Sequence, residues 1–175
     1  MSKNWDSIKT LAMEYATDNM TNRKMNCAEA VFEALIRSGA IDVPLENVAY
    51  LTGFGSGAGG AGYTCGALVS AIAANGATYG RRDPSSSKDK KELKEKHYSR
   101  YNNMVSDFVK IAGSGLCSEI VNAFPDAYDD PNNRPNCIRV VSEAAGIAVD
   151  YLKMDIDETE KLDFEPSVVK IRNWL

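Results

Sequence analysis

Four cysteines are the residues of this chain best suited to chemistry: Cys27, Cys65, Cys117 and Cys137, separated by 38, 52 and 20 residues. No CxxC pair occurs, so the spacing gives no support to a zinc ribbon, a thioredoxin-type motif or c-type haem attachment. The N-terminal residues lack the apolar stretch of a signal peptide, and we expect a cytoplasmic protein. In that compartment, cysteines are more often thiols, metal ligands or redox groups than structural disulfides.

Each cysteine is expected to lie in the first turn of a predicted helix, on the apolar face of that helix. Cys27 follows Asn26, and Glu29 completes the pattern of a capping box. Cys65 follows Thr64, another residue type that caps helices. The unpaired N–H groups and partial positive charge of a helix N-terminus lower the pKa of a thiol placed there. Four inward-facing sulfurs could therefore converge on one site, which would hold either a dithiol pair or a thiolate-bound metal.

Helical periodicity recurs along the chain, whereas no β-strand pattern is convincing. The pattern predicts helices over residues 5–18, 26–39, 44–53, 64–79, 88–112, 116–124 and 136–152. We predict an all-α fold, a single-domain bundle of about six or seven helices. Its central helix is 65–79, where small side chains let other helices approach closely. The domain covers residues 1–153, and residues 154–175 form an acidic C-terminal tail.

The glycine-rich loop before Cys65 contains Gly57, Gly59 and Gly62, which match the GxGxxG spacing of dinucleotide-binding proteins. The context does not fit, because residues 44–52 indicate a helix where that motif requires a strand. We interpret the loop as a place where the backbone passes close to a neighbouring helix or to a ligand near Cys65. The three glycines are candidate cofactor-binding residues in that second sense.

Several other functions are disfavoured by composition. The net charge is −4 and the pI is about 5.1, which predicts no nucleic-acid partner. The helical part of the long charge-free segment is shorter than the roughly 20 apolar residues of a membrane span. His97 is the only histidine, and we interpret it as structural. Asp126, Asp129 and Asp130 crowd one loop without the spacing of a calcium site.

These residues resemble the C_GCAxxG_C_C family, named for four cysteines and a CGAxxG motif. The matching segments are NCAEAV at Asn26–Val31, the glycine loop with CGALVSAI at Cys65–Ile72, LCSEIV at Leu116–Val121 and NCIRVVSEAAGI at Asn136–Ile147. Ser70 stands where the motif has its last glycine. The resemblance covers about residues 5–152 and implies a small helical protein of bacteria or archaea with a redox or iron–sulfur role. It implies no particular reaction or substrate.

Three functions follow as hypotheses. The first is electron transfer by a metal or iron–sulfur cluster bound to Cys27, Cys65, Cys117 and Cys137, since four thiolates suffice for a cluster or for zinc. The second is a dithiol protein in which pairs of these cysteines cycle. The third is a helical scaffold with buried cysteines. For the redox functions we predict Cys65 as the most reactive thiol, since the glycine loop gives it access, with Cys27 as its partner. A redox partner protein is then expected; enzymatic activity and oligomeric state are left open.

Overall fold

The computed structural model describes residues 3–85, 97–123 and 134–163, and these residues form a helical domain without β-strands. The prediction of an all-α single domain is confirmed. No described helix is long and apolar enough to cross a bilayer. The α-helices are α1 (Trp5–Thr21), α2 (Cys27–Arg37), α3 (Gly66–Tyr79), α4 (Ser99–Ala112), α5 (Cys117–Asn122), α6 (Pro135–Lys153) and α7 (Ile156–Glu160).

The predicted helix over residues 44–53 is a 3-10 helix, Leu45–Phe54, followed by a short helical turn, Gly55–Ala58. Leu51 is the one buried residue of the 3-10 helix, so packing does little to enforce α-helical geometry there. The predicted start of the charged helix at 88 and the aspartate loop at 126–130 lie outside the described residues. The first residues of the predicted tail form α7, and the domain boundary at residue 153 stays a prediction.

The core lies between α1, α2, α3 and α6, which pack against one another. Alanines from each of these helices are buried, including Ala12, Ala30, Ala71 and Ala144. Because alanine adds only one carbon, the helix backbones can approach closely, as the small side chains of α3 predict. The helix α2 is also enclosed, since seven of its eleven residues are buried. This arrangement brings the N-terminal ends of α2 and α3 together.

A buried polar cluster fixes the segment that leads into α2. The Asn19 amide donates hydrogen bonds to the Ala30 carbonyl at 3.0 Å and to the Glu33 carboxylate at 2.6 Å. Arg23 donates to the same carboxylate at 2.5 Å and to the Asn19 side-chain oxygen at 2.8 Å. The Glu33 side chain is only 3% exposed, and a buried carboxylate needs partners of this kind. The cluster therefore holds the end of α1 against α2, and its Arg23 lies four residues before Cys27.

A buried arginine joins α4 to the C-terminal end of α6. Arg100 is 1% exposed, and its guanidinium donates to the carbonyls of Tyr151, Met154 and Asp155, the last two at 2.9 and 3.0 Å. It also stacks over the Tyr79 ring, with its central carbon 3.8 Å from the ring centroid. The carbonyls at a helix C-terminus carry partial negative charge, so they are suitable partners for a buried cation.

Replacing this arginine by lysine tests the arrangement. Arg100→Lys is expected to lower the free energy of unfolding by about 2–3 kcal/mol, because an ammonium group cannot satisfy several diverging carbonyls and stack on a ring. Urea denaturation measures the loss. Arg139→Lys, at an exposed position on α6, is the control and should change stability by less than about 0.5 kcal/mol. Equal midpoints for the two variants would contradict the assignment.

Candidate functional site

All four cysteines line one cavity of about 520 Å³. The cavity lies where the N-terminal ends of α2, α3, α5 and α6 meet, and the predicted gathering of the four cysteines in one region is confirmed. Its volume is within the range of small-molecule sites, about 300–1,000 Å³. The four cysteines, all within the described residues, form no disulfide with one another. The cavity is therefore a thiol-lined pocket open to small-molecule chemistry.

The predicted capping box places Cys27 as the first residue of α2. The Asn26 side-chain oxygen accepts hydrogen bonds from the N–H groups of Ala28 at 2.9 Å and Glu29 at 3.0 Å. The Glu29 carboxylate accepts the Asn26 N–H at 3.1 Å. Both reciprocal bonds of the motif are thus present. They set the start of the helix, and with it the position of the Cys27 sulfur at the helix N-terminus.

Cys65 is the N-cap of α3 rather than a residue of its first turn, which corrects the predicted boundary. Thr64, the predicted cap, instead forms an isolated antiparallel bridge with Leu116. Across this bridge the Cys65 N–H donates to the Gly115 carbonyl at 2.9 Å, and the Cys117 N–H donates to the Tyr63 carbonyl at 2.6 Å. The pairing holds Cys65 in an extended conformation, so α3 begins one residue later than capping residue types alone suggest.

The same bridge sets the relation between Cys65 and Cys117. Residues that flank a bridged pair point to the opposite face from that pair, so both cysteines lie on the same side of this short ribbon. They occupy diagonal positions, for which separations of about 7–8 Å are typical. Cys117 is the first residue of α5, and Cys137 lies in the first turn of α6, as predicted. Two main-chain hydrogen bonds therefore position two of the four thiols together.

The glycine loop makes close contacts with α5 and α2. A Cβ atom on Gly57 would lie 2.7 Å from the Cys117 Cβ, and one on Gly62 would lie 3.2 Å from the Ser118 Cβ. Gly62 lines the cavity, whereas a Cβ on Gly59 would come no nearer than 3.9 Å to its nearest neighbour, the Gly53 carbonyl. The prediction that the loop passes close to a helix is confirmed. Cofactor binding by these three glycines stays a prediction, and the described residues place no strand before the loop.

The side chains of Cys27 and Cys65 interact, and this interaction lowers the pKa of Cys27 and raises the pKa of Cys65. The Cys65 thiol donates to the Cys27 sulfur, and this bond is the largest effect that lowers the pKa of Cys27 to about 6. Burial opposes the shift, while the backbone N–H groups of Ser56, Gly66 and Ala28 support it. The pKa of Cys65 is raised because its proton is held by the Cys27 sulfur and because the side chain is buried. The pair therefore carries one thiolate, on Cys27, and one thiol, on Cys65.

This distribution differs from the one assumed in the predicted order of reactivity, and that order stays a prediction. The sequence favoured Cys65 because a glycine loop precedes it, but Cys65 is 7% exposed and its thiol acts as a hydrogen-bond donor. Cys27 is half-buried and receives N–H groups from α2, α3 and the loop. Since the thiolate is the nucleophile, the lowered pKa favours Cys27 as the nucleophile of the pair. The Ser56 N–H of the loop is one of the groups that lower the pKa of Cys27.

The other two thiols lie in the same electrostatic environment. Burial raises the pKa of Cys117, the charges of Cys27 and Cys137 raise it further, and Arg134 opposes the shift.

Within the described ranges, no three His, Cys, Asp or Glu side chains are grouped closely enough to hold a metal ion. The four cysteines thus line one cavity without forming a four-thiolate cage. Metal binding by all four stays a prediction.

Three residues near the cysteines were not predicted from the sequence to contribute to this site. The buried Ser70 hydroxyl donates to the Ala28 carbonyl at 2.6 Å and ties α3 to the first turn of α2. Lys24 and Arg134 line the cavity. A sequence signal for these two existed, because each stands three residues before a cysteine in the same pattern, a basic residue followed by any residue, Asn and Cys. Ser70 had a weaker signal, its place at the last glycine of the CGAxxG motif.

Comparison with known proteins agrees with this cysteine arrangement. The family model described as "Putative redox-active protein (C_GCAxxG_C_C)" matches residues 25–151, which include all four cysteines and the glycine loop. The resemblance found in the sequence is thereby confirmed. No curated protein and no solved structure matches the chain significantly.

Proposed function

The chain belongs to the C_GCAxxG_C_C family, and we propose that it is a dithiol–disulfide oxidoreductase in which Cys27 is the nucleophile and Cys65 the resolving thiol. One observation carries the proposal: Cys27 and Cys65 line the same cavity, with the Cys27 sulfur against Gly66, the residue that follows Cys65, and the interaction of the two side chains lowers the pKa of Cys27. Such a pair has both components that disulfide exchange requires, a nucleophile that is deprotonated near neutral pH and a second thiol within reach.

The reaction proceeds by two displacements. The Cys27 thiolate attacks one sulfur of a substrate disulfide, the substrate S–S bond breaks, and a mixed disulfide forms on Cys27. The departing substrate thiolate takes the proton that Cys65 held. The Cys65 thiolate then attacks the Cys27 sulfur, which forms the Cys27–Cys65 disulfide and releases the second substrate thiolate, which is protonated by solvent. The substrate has gained two electrons and two protons, and a thiol reductant, such as the expected redox partner protein, returns two electrons to the pair.

A metal or iron–sulfur centre in electron transfer is the second candidate function. The observation that favours it is that all four cysteines line one cavity. A single metal ion with metal–sulfur bonds of about 2.3 Å requires a tighter grouping of sulfurs than the described residues contain. The dithiol function needs only two thiols near each other, and the side chains of Cys27 and Cys65 interact.

Trapping of the mixed disulfide tests the dithiol function. Reduced protein treated with one equivalent of a small disulfide is expected to form the Cys27–Cys65 bond and to release two substrate thiols. Cys65→Ser should stop at a mixed disulfide on Cys27, because the resolving thiol is missing, and Cys27→Ser should form neither product. Intact mass and peptide mapping identify each species.

Cys137→Ser is the matched control and should still form the Cys27–Cys65 bond. Bonds mapped only between other cysteines would contradict the proposal. Metal and sulfide analysis of anaerobically purified protein distinguishes the second candidate: stoichiometric metal together with thiols that do not react would favour it over dithiol exchange.

A further inference from the structure

Positive charge lines the cysteine cavity of a chain whose net charge is −4. Among the described residues that line it, the positively charged side chains are Lys24 and Arg134, no aspartate or glutamate is present, and the negative charge is that of the Cys27 thiolate. Lys24 lies three residues before Cys27, and Arg134 lies three residues before Cys137. Each therefore lies at the start of a helix whose first turn carries a cavity thiol.

The two cations lie in different backbone conformations, and each precedes a cavity thiol at a helix start. Lys24 has a positive φ of 57°, and Arg134 is the N-cap of α6. The partial positive charges of the N-terminal ends of α2 and α6 add to the charge of the two side chains. The field of Arg134 reaches the thiols, because it acts on the pKa of Cys117 against the effect of burial. A cleft with one sign of charge and few opposing groups attracts ions of the other sign.

The rest of the wall is largely apolar. It includes Met20, Met25, Ile120, Val121, Ile138 and Val141. The volume of about 520 Å³ is suited to an organic molecule of moderate size, and its apolar wall suits a short carbon or thioether chain. Together these features indicate a ligand that has a sulfur–sulfur bond at its centre and negatively charged groups towards its ends.

We propose that the cavity binds a small disulfide with a carboxylate on each half, held by Lys24 and Arg134 so that its sulfur–sulfur bond faces the Cys27 sulfur. This inference rests on the proposed dithiol function and adds the class of substrate. In the bound state one carboxylate lies at Lys24 and the other at Arg134. The substrate is then reduced by the two displacements already described.

Three small disulfides of similar length but different charge test the substrate class: dithiodipropionate (a dianion), hydroxyethyl disulfide (neutral) and cystamine (a dication). The rate at which each disulfide oxidises the Cys27–Cys65 pair is divided by the rate at which the same disulfide reacts with mercaptoethanol. This ratio removes differences in the intrinsic reactivity of the three disulfides. The normalised rate for the dianion should exceed that for the dication by about tenfold or more at low salt and fall as salt is added.

Lys24→Gln and Arg134→Gln should each reduce this preference several-fold, and the double variant should remove it. Lys153→Gln removes one charge about 24 Å along α6 from Cys137 and should leave the preference unchanged. Equal normalised rates for the three disulfides would overturn the substrate class but leave the dithiol function standing. If none of the three forms the Cys27–Cys65 bond, both proposals fail.

Discussion

Replacing Cys65 by alanine is expected to move the pH profile for alkylation of Cys27 upward, from an inflection at about 6 towards the ordinary thiol value of about 8.5. The Cys65 thiol is the strongest of the groups that stabilise the Cys27 thiolate, and alanine removes this donor. The backbone N–H groups of Ser56, Gly66 and Ala28 remain, so they set how far the inflection moves. Above the inflection the variant should react at least as fast as the natural chain.

The effect is largest at low pH. A complete return from 6 to 8.5 would reduce the thiolate fraction at pH 5 by about 300-fold. The more basic thiolate is the better nucleophile, which offsets part of that loss and leaves alkylation about 20-fold slower. Rates are obtained by quenching reduced protein after timed exposure to iodoacetamide and quantifying the Cys27 peptide by mass spectrometry.

Two further variants make this prediction specific. Cys65→Ser keeps a hydroxyl donor and should shift the inflection less than Cys65→Ala does. Cys137→Ser removes a more distant thiol and should leave the inflection of Cys27 near 6. An inflection near 8.5 for Cys27 in the natural chain, or a lower inflection for Cys65 than for Cys27, would contradict the assignment of nucleophile and resolving thiol.

The parts of the site that depend on short stretches of sequence could be predicted. The capping box of Asn26 and Glu29 involves residues three apart, and both of its hydrogen bonds are present. The apolar stripes that follow each cysteine are also local. They predicted that the four thiols gather in one region, and all four line one cavity. The presence of a helix and the residues on its buried face can be predicted from periodicity, because a helix returns to the same face every three or four residues.

The order of reactivity depends on contacts between segments far apart in sequence, so it could not be predicted in the same way. The Cys27 sulfur receives N–H groups from Ser56 and Gly66, residues 29 and 39 positions away. The pairing of residues 63–65 with 115–117 joins the two cysteines of that ribbon through one isolated bridge, which leaves no alternating pattern to detect. The presence of a glycine loop in the sequence does not show where the N–H groups of that loop point, and the pKa of Cys27 depends on one of them.

Ser70 shows how a departure from a motif can be accommodated. The CGAxxG pattern has glycine at this position. A larger side chain here must fit between the closely packed helices α3 and α2. The Ser70 side chain is buried and its hydroxyl donates to the Ala28 carbonyl at 2.6 Å, so the extra atoms form a contact between the helices. The glycine that tolerates no such change is Gly66, directly after Cys65.

Gly66→Ala is expected to destabilise the protein by about 3 kcal/mol, at the upper end of the usual cost of an overpacked site. A Cβ atom on Gly66 would lie 2.6 Å from the Phe54 carbonyl oxygen, 2.8 Å from the Cys27 sulfur and 3.0 Å from the Ala28 Cβ. Two of these three atoms belong to backbone or to a helix core position, so neither can move aside cheaply. The Gly66 N–H also supports the Cys27 thiolate, so the shift that relieves the clash should raise the pKa of Cys27.

Gly76→Ala provides the matched control in the same helix, because the nearest atom to an added Cβ there is the Tyr101 hydroxyl at 3.7 Å, an ordinary contact. That variant should be more stable than the natural chain by about 0.5–1 kcal/mol, since alanine is the better helix former. Its Cys27 alkylation profile should keep an inflection near 6. Urea denaturation and the alkylation profile are measured on both variants. Stability changes of the same sign in the two, or an unchanged Cys27 inflection in a folded Gly66→Ala protein, would show that the close approach of α3 to Cys27 does not control this thiolate.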